Sequence, residues 1–135
     1  MVTVKNYKKV LLMGDSTAKL VTTENKELGW DEDKVLVKVS YSAVSAGTEY
    51  ANLIGDKNVN ATVKAEDTVL EWPRGVGYSS CGIVEKVGKN VTHVAVGDRV
   101  VLRACGHASH HTVQKDWVFK LPYEEISLEE TAATF

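Results

Sequence analysis

Residues 72–87, WPRGVGYSSCGIVEKV, are the stretch on which the rest of the chain is organised. Pro73 and Gly75 punctuate the backbone. Gly77 and Gly82 remove side chains where the chain must turn or come close to another element. Ile83, Val84 and Val87 then flank Glu85 and Lys86 as a strand, closed by Gly88. Glycines five apart around small polar residues fit a strand entering a cleft. On spacing alone they fit a plain hairpin corner in a β protein better.

Upstream, Lys34–Val44 has the cleanest alternation in the chain. Val35, Val37, Val39 and Tyr41 are predicted on one face and Leu36, Lys38, Ser40 and Ser42 on the other. Ser45-Ala46-Gly47-Thr48 breaks that pattern, and Thr48 stands where a helix N-cap is expected before Glu49–Ile54, with Gly55 as the stop. Two short apolar runs precede this region, Lys9–Met13, ended by a Gly14-Asp15 turn, and Ala18–Thr23. Glu24–Lys34 reads as a loop, and Asp56–Glu71 as a surface excursion of the kind that often covers a binding site.

Downstream, Val94–Val101 reads as strand, Gly97-Asp98 turn, strand. Ser109–Val113 and Trp117–Leu121 read as two more short strands, Pro122 ending the second. Many short strands, glycine-rich turns and almost no helix predict a mainly β fold, a closed or partly open barrel with a few short helices. The tail departs from this. Ser127-Leu128-Glu129-Glu130 is a capping box, and Thr131–Phe135 begins an apolar helical face. A helix of about two turns is marginal without something to pack on, so the chain reads as the front part of a longer protein.

Composition narrows the partners. Hydrophobic residues at 44% and charged residues at 25% describe an ordinary soluble domain, and a net charge of −2 carries no nucleic-acid surface. No apolar run approaches the ~18 residues of a membrane span. Met1–Lys9 lacks the apolar core of a secretory signal, and two cysteines make no disulfide framework, so a reduced, cytoplasmic setting is expected. The triplets Asn60-Ala61-Thr62 and Asn90-Val91-Thr92 are then chance matches to a glycosylation acceptor.

Five blocks in order resemble the GroES-like catalytic domain of the medium-chain dehydrogenase/reductase superfamily, the alcohol dehydrogenase and quinone reductase group. They are Val35–Val39 running into Ala43–Glu49, Gly77–Gly88, Val91–Val100, Lys120-Leu121-Pro122 and Leu128–Ala133. The resemblance covers about Lys9 to Phe135. It implies that residues 1–135 form one substrate-side domain, a partly open β-barrel, with an exit helix beginning at about 127. It also implies a C-terminal Rossmann domain as partner, absent from this chain. No G-x-G-x-x-G turn occurs here, so NAD or NADP would be bound mainly by that missing domain. The isolated chain is then expected to be inactive, and a homo-oligomer of the full-length protein stays open.

Zinc-binding members place Cys, His and an acid at positions that fall here on Ala46, Tyr78 and Ser79. Alanine has no donor and a phenol is a poor zinc ligand, so the resemblance implies a zinc-free branch. Thr48 falls where members carry a hydroxyl that passes the substrate proton, and Tyr78 where a phenol could donate to a carbonyl; these two are the candidate catalytic residues. Ser79, Glu49 and His107 are candidate substrate-binding residues. Against four of them stands a plainer role: Thr48 as a cap, Tyr78 as a pocket wall, Ser79 as a strand residue, Glu49 as an exposed first-turn acid. Cys105, His107, His110 and His111 invite a metal, but a strand puts His110 and His111 on opposite faces, so the run would need a sharp bend.

The implied function is a zinc-independent, NAD(P)-dependent oxidoreductase interconverting an alcohol and a ketone or aldehyde, with a small-molecule substrate. A quinone or enone reductase of the same fold, and a stand-alone interaction module without catalysis, are the alternatives.

Overall fold

A computed structural model describes residues 4–24, 29–59 and 63–135. Among the described residues, eight strands and two α-helices run in the order β1 (Asn6–Leu12), β2 (Ala18–Glu24), β3 (Lys34–Ser42), α1 (Ala46–Leu53), β4 (Arg74–Gly75), β5 (Ser79–Val87), β6 (Arg99–Arg103), β7 (His110–Gln114), β8 (Val118–Lys120) and α2 (Leu128–Thr131). They form a three-stranded sheet, β2-β1-β4, and a five-stranded sheet, β7-β3-β5-β6-β8, every described pair antiparallel. A lone bridge between Lys9 and Ala108 joins the two sheets, giving the partly open barrel expected of the alternating pattern. None of the described helices is long and apolar enough to cross a membrane.

The main core is small and β-branched: Val35, Val37, Val84, Val100 and Val118 are all 2% exposed or less, around Leu102. β6 is buried on both faces, since Val100 and Leu102 enter this core while Val101 joins a second cluster with Cys81 and Ala132. That second cluster is where the tail packs, with Leu121 and Leu128 against it.

Register explains where the alternation fails. β3 and β5 slip twice, between Leu36 and Val37 and between Val39 and Tyr41. At the first slip the extra residue is Glu85 of β5; at the second it is Ser40 of β3, which rephases the β3 side chains that follow. Val35 and Val37 keep the predicted face, but Tyr41 leaves it; its hydroxyl donates to Glu129 at 2.7 Å. Gly82 sits at this seam. A Cβ there would lie 2.0 Å from the Lys38 carbonyl oxygen, so only glycine lets the two backbones approach.

Four other expectations change. The strand after the central glycines begins at Ser79, not Ile83. Val94–Val96 is not a strand: the Ala95 N–H donates to Asp98 Oδ2 at 2.8 Å, closing a tight turn ahead of β6. Thr48 is not the cap of α1. The helix starts three residues earlier than expected, at Ala46, with Ser45 in the cap position and its N–H donating to Glu49 Oε1 at 2.9 Å. And no described residue of Asp56–Glu71 lines the larger cleft described below.

Other local predictions hold. Gly55 ends α1, its N–H donating to the Asn52 carbonyl while that of Asp56 reaches back to Ala51. Ser127 and Glu130 make both bonds of the capping box at α2. Asn90 spends its amide on Asp33 at 3.2 Å; Asn60–Thr62 and part of the Glu24–Lys34 loop lie outside the described residues.

Candidate active site

His107 is pinned through its backbone before its ring does anything. Its N–H donates to the Val76 carbonyl at 3.0 Å, and its own carbonyl accepts from Val10 N–H at 2.9 Å. Just ahead of it, the Ser80 hydroxyl bridges the carbonyls of Cys105 and Gly106 at 2.8 and 3.0 Å. The ring then lies against Gly77, whose φ of +89° suits glycine and whose missing Cβ leaves room for the imidazole. The central glycine motif therefore serves to seat a histidine that is thirty residues away in the chain.

Both ring nitrogens are engaged. Nδ1 lies 2.7 Å from Ser42 Oγ at the end of β3, and Nε2 lies 2.8 Å from Glu49 Oε2 on α1. The carboxylate can only accept, so Nε2 carries a proton. Glu49 is held in turn by the Ser45 N–H on its other oxygen. The imidazole and carboxylate side chains are 12% and 13% exposed, so the pair is sheltered from solvent screening. Glu49 is not the exposed acid that its first-turn position suggests.

These three groups lie in a cleft of about 620 Å³ bounded by β1, the end of β3 and α1. Val10, Leu12, Val44, Leu53 and Val76 give it apolar walls. Ser42, His107 and Glu49 form one linked polar patch within it. An apolar cleft with a few convergent polar groups is the usual form of a small-molecule site.

The other expected site residues fall elsewhere. Thr48 is exposed on the third residue of α1 and does not line this cleft; its carbonyl accepts from the Asn52 amide. Tyr78 is 38% exposed and lines a neighbouring concavity of about 230 Å³ with Val44, Ser45 and Phe135. Ser79 is 1% exposed and turned the other way, its hydroxyl donating to the Ala132 carbonyl at 2.6 Å. Of the five, Glu49 and His107 come together. Ser42 escapes sequence reasoning, because a serine at the end of an alternating strand carries no signal of a partner 65 residues on.

The Cys-His run divides among separate partners. Cys105 is buried, which pushes its thiol up to about 12, and it faces the Arg103 carbonyl. His111 donates to the Gly106 carbonyl at 2.8 Å, and burial lowers its pKa. His110 faces Glu85 at 3.6 Å, with burial again lowering it. Among the described residues no three His, Cys, Asp or Glu side chains group as a metal requires. The positions that the resemblance assigns to zinc ligands fare no better: Ala46 offers no donor, and the Ser79 hydroxyl is committed to a backbone carbonyl. These residues do not fit a zinc ion.

The family model of the alcohol dehydrogenase GroES-like domain matches residues 31–123. A quinone oxidoreductase of Salmonella typhimurium is 42% identical over 66 residues, covering 47% of this chain and 20% of that protein. Among solved structures, Escherichia coli quinone oxidoreductase complexed with NADPH superposes with a TM-score of 0.68 at 25% identity, over 95% of this chain and 37% of that one. The 2R,3R-butanediol dehydrogenase of Bacillus subtilis gives 0.71 at 21% identity, over 93% and 43%. The matched part of the chain thus spans less than half the length of each.

Proposed function

Since this chain belongs to the alcohol dehydrogenase GroES-like domain family of the medium-chain dehydrogenase/reductase superfamily, we propose that it forms the substrate side of a zinc-independent, NAD(P)-dependent oxidoreductase. The reaction interconverts an alcohol with a ketone or aldehyde. One observation carries this reading: an apolar cleft whose polar patch is a hydroxyl, an imidazole and a carboxylate joined in series. Such a patch binds the single oxygen of an otherwise apolar molecule and supplies hydrogen bonds as charge develops on that oxygen.

Zinc independence rests on the donor set at Ala46, Tyr78 and Ser79. The nicotinamide group, held by a partner domain, would supply the hydride; this chain holds the acceptor or donor carbon against it and keeps water out with its valine walls. Thr48, exposed on α1, and Tyr78, in the neighbouring concavity, are proposed to orient substrate. In this scheme the isolated chain turns nothing over.

A second reading, reduction of a quinone or enone, is favoured by the names of the Salmonella and Escherichia coli relatives. The test is the native protein, isolated from its source cells with an antibody to this chain and assayed after exhaustive chelation. NAD(P)H oxidation driven by a ketone or aldehyde supports the first reading, and oxidation driven only by quinones or enones supports the second. No oxidation with any of these substrates sinks both.

A further inference from the structure

We propose that Ser42 is the catalytic residue that exchanges a proton with the ligand oxygen in this cleft, with His107 and Glu49 as its positioning residues. The ligand class is a neutral, largely apolar alcohol or carbonyl compound. The proposal rests on the oxidoreductase reading for the reaction, though not for the binding.

Three observations converge on Ser42. It is the hydroxyl of the cleft lining that touches an imidazole nitrogen, at 2.7 Å. The imidazole is held from its far side by Glu49 at 2.8 Å. The backbone bonds to Val76 and Val10 and the seat at Gly77 leave the ring little freedom to turn away.

The direction of transfer follows from the hydrogen inventory. With Nε2 protonated toward Glu49, a neutral His107 has a bare Nδ1, which accepts the Ser42 proton. Ser42 Oγ then has lone pairs free for an alcohol O–H. In oxidation, the alcohol O–H bond breaks as its proton passes to Ser42, and the Ser42 proton passes to Nδ1. A nicotinamide held by the partner domain would take up the hydride of the alcohol carbon. What this chain is left with is a carbonyl in the cleft and an imidazolium whose charge Glu49 balances. Reduction runs the same steps backwards: the imidazolium donates from Nδ1 to Ser42, which protonates the oxygen of the new alcohol. A carboxylate-backed imidazole suits this work because its two protonation states both keep Nε2–H on Glu49.

Two arms test this. In the first, the ¹⁵N-labelled chain is titrated with cyclohexanol and cyclohexanone, with methylcyclohexane as the apolar control, while the His107 ring nitrogens are followed by NMR. The two oxygenated probes should shift the Nδ1 resonance and the hydrocarbon should not. Ser42→Ala should abolish the shift and weaken binding about tenfold, the worth of one hydrogen bond. Ser42→Thr should retain both. An Nδ1 resonance indifferent to all probes overturns the proposal, and so does an unchanged response in Ser42→Ala.

In the second arm, the native full-length enzyme carries the same substitutions. Ser42→Ala should lower kcat by ~10²–10⁴-fold with KM within a few-fold, and Ser42→Thr should restore most of it. An active wild type with an unaffected Ser42→Ala variant overturns the relay alone. An inactive wild type overturns the oxidoreductase reading, and the NMR arm then decides the site. Should Ser42→Ala not fold, Ser42→Thr and the wild-type titration still decide it.

Discussion

A Cβ on Gly77 would stand 2.9 Å from both Cε1 and Nε2 of His107, inside the space the imidazole fills. Gly77 also holds φ at +89°. Gly77→Ala therefore meets two costs, left-handed backbone and a displaced ring. Destabilisation of about 1–2 kcal/mol is expected from the backbone alone. The ring should also lose its contacts to Ser42 and Glu49, and ligand binding with them. Urea unfolding reads the first effect and the His107 NMR resonances the second.

Gly82→Ala should be worse for the fold and needs no histidine to explain it. The obstacle there is the Lys38 carbonyl oxygen at 2.0 Å, a backbone atom in the middle of a sheet, which cannot swing aside as a ring can. A loss of about 3 kcal/mol or more is expected, near the upper end of overpacking costs. A urea midpoint for Gly82→Ala equal to that of Gly77→Ala would contradict this ranking.

His111 ties stability to pH. Burial holds its pKa below the ordinary 6.5, and its Nε2–H bond to the Gly106 carbonyl opposes that shift without cancelling it. The unfolded chain takes up the proton first as pH falls, so the contribution of His111 is complete above 6.5 and is lost as pH drops toward the folded value. His111→Asn should flatten this limb of the stability profile. Thermal unfolding of both proteins between pH 5 and 7.5, in roughly half-unit steps, checks it.

Ser79 is expected to be structural. Its hydroxyl holds the Ala132 carbonyl at 2.6 Å while accepting from Phe135 N–H at 3.4 Å. Ser79→Ala orphans a buried carbonyl and should cost about 1–3 kcal/mol. Hydrogen exchange at Phe135 should accelerate, while ligand binding in the cleft stays as in the wild type.

Neither thiol should react in the folded chain. Cys105 is buried with its thiol raised to about 12, and Cys81 is buried with its sulfur against the Leu128 carbonyl at 2.8 Å. A thiolate is the reactive form, so a disulfide reagent should titrate none in native buffer and two in denaturant.

Most of the fold was legible because it rests on local patterns. Alternating valines mark β3, Gly55 stops α1, and Ser127 with Glu130 opens α2. The failures have physical causes. The register slip at Ser40 rephases β3, so Tyr41 departs from its face, and nothing local announces a slip. Val94–Val96 has strand-like residues, but the Asp98 carboxylate bonding Ala95 N–H makes a turn the better structure. Of the site, Glu49 and His107 were legible as candidates, while their union with Ser42 brings a loop histidine to β3 and α1 from some sixty residues away, 65 from Ser42 and 58 from Glu49. Long-range pairing leaves no local trace in any of them.

Strand geometry gives β5 a further consequence. Consecutive residues of a strand face opposite sides, and here three in a row, Ser79, Ser80 and Cys81, each hold a carbonyl belonging to some other segment. The outer two grip the tail at Ala132 and Leu128; the middle one grips the loop that carries His107. β5 is thus a party wall between two rooms, and the tail and the imidazole are mounted on opposite sides of it, one residue apart.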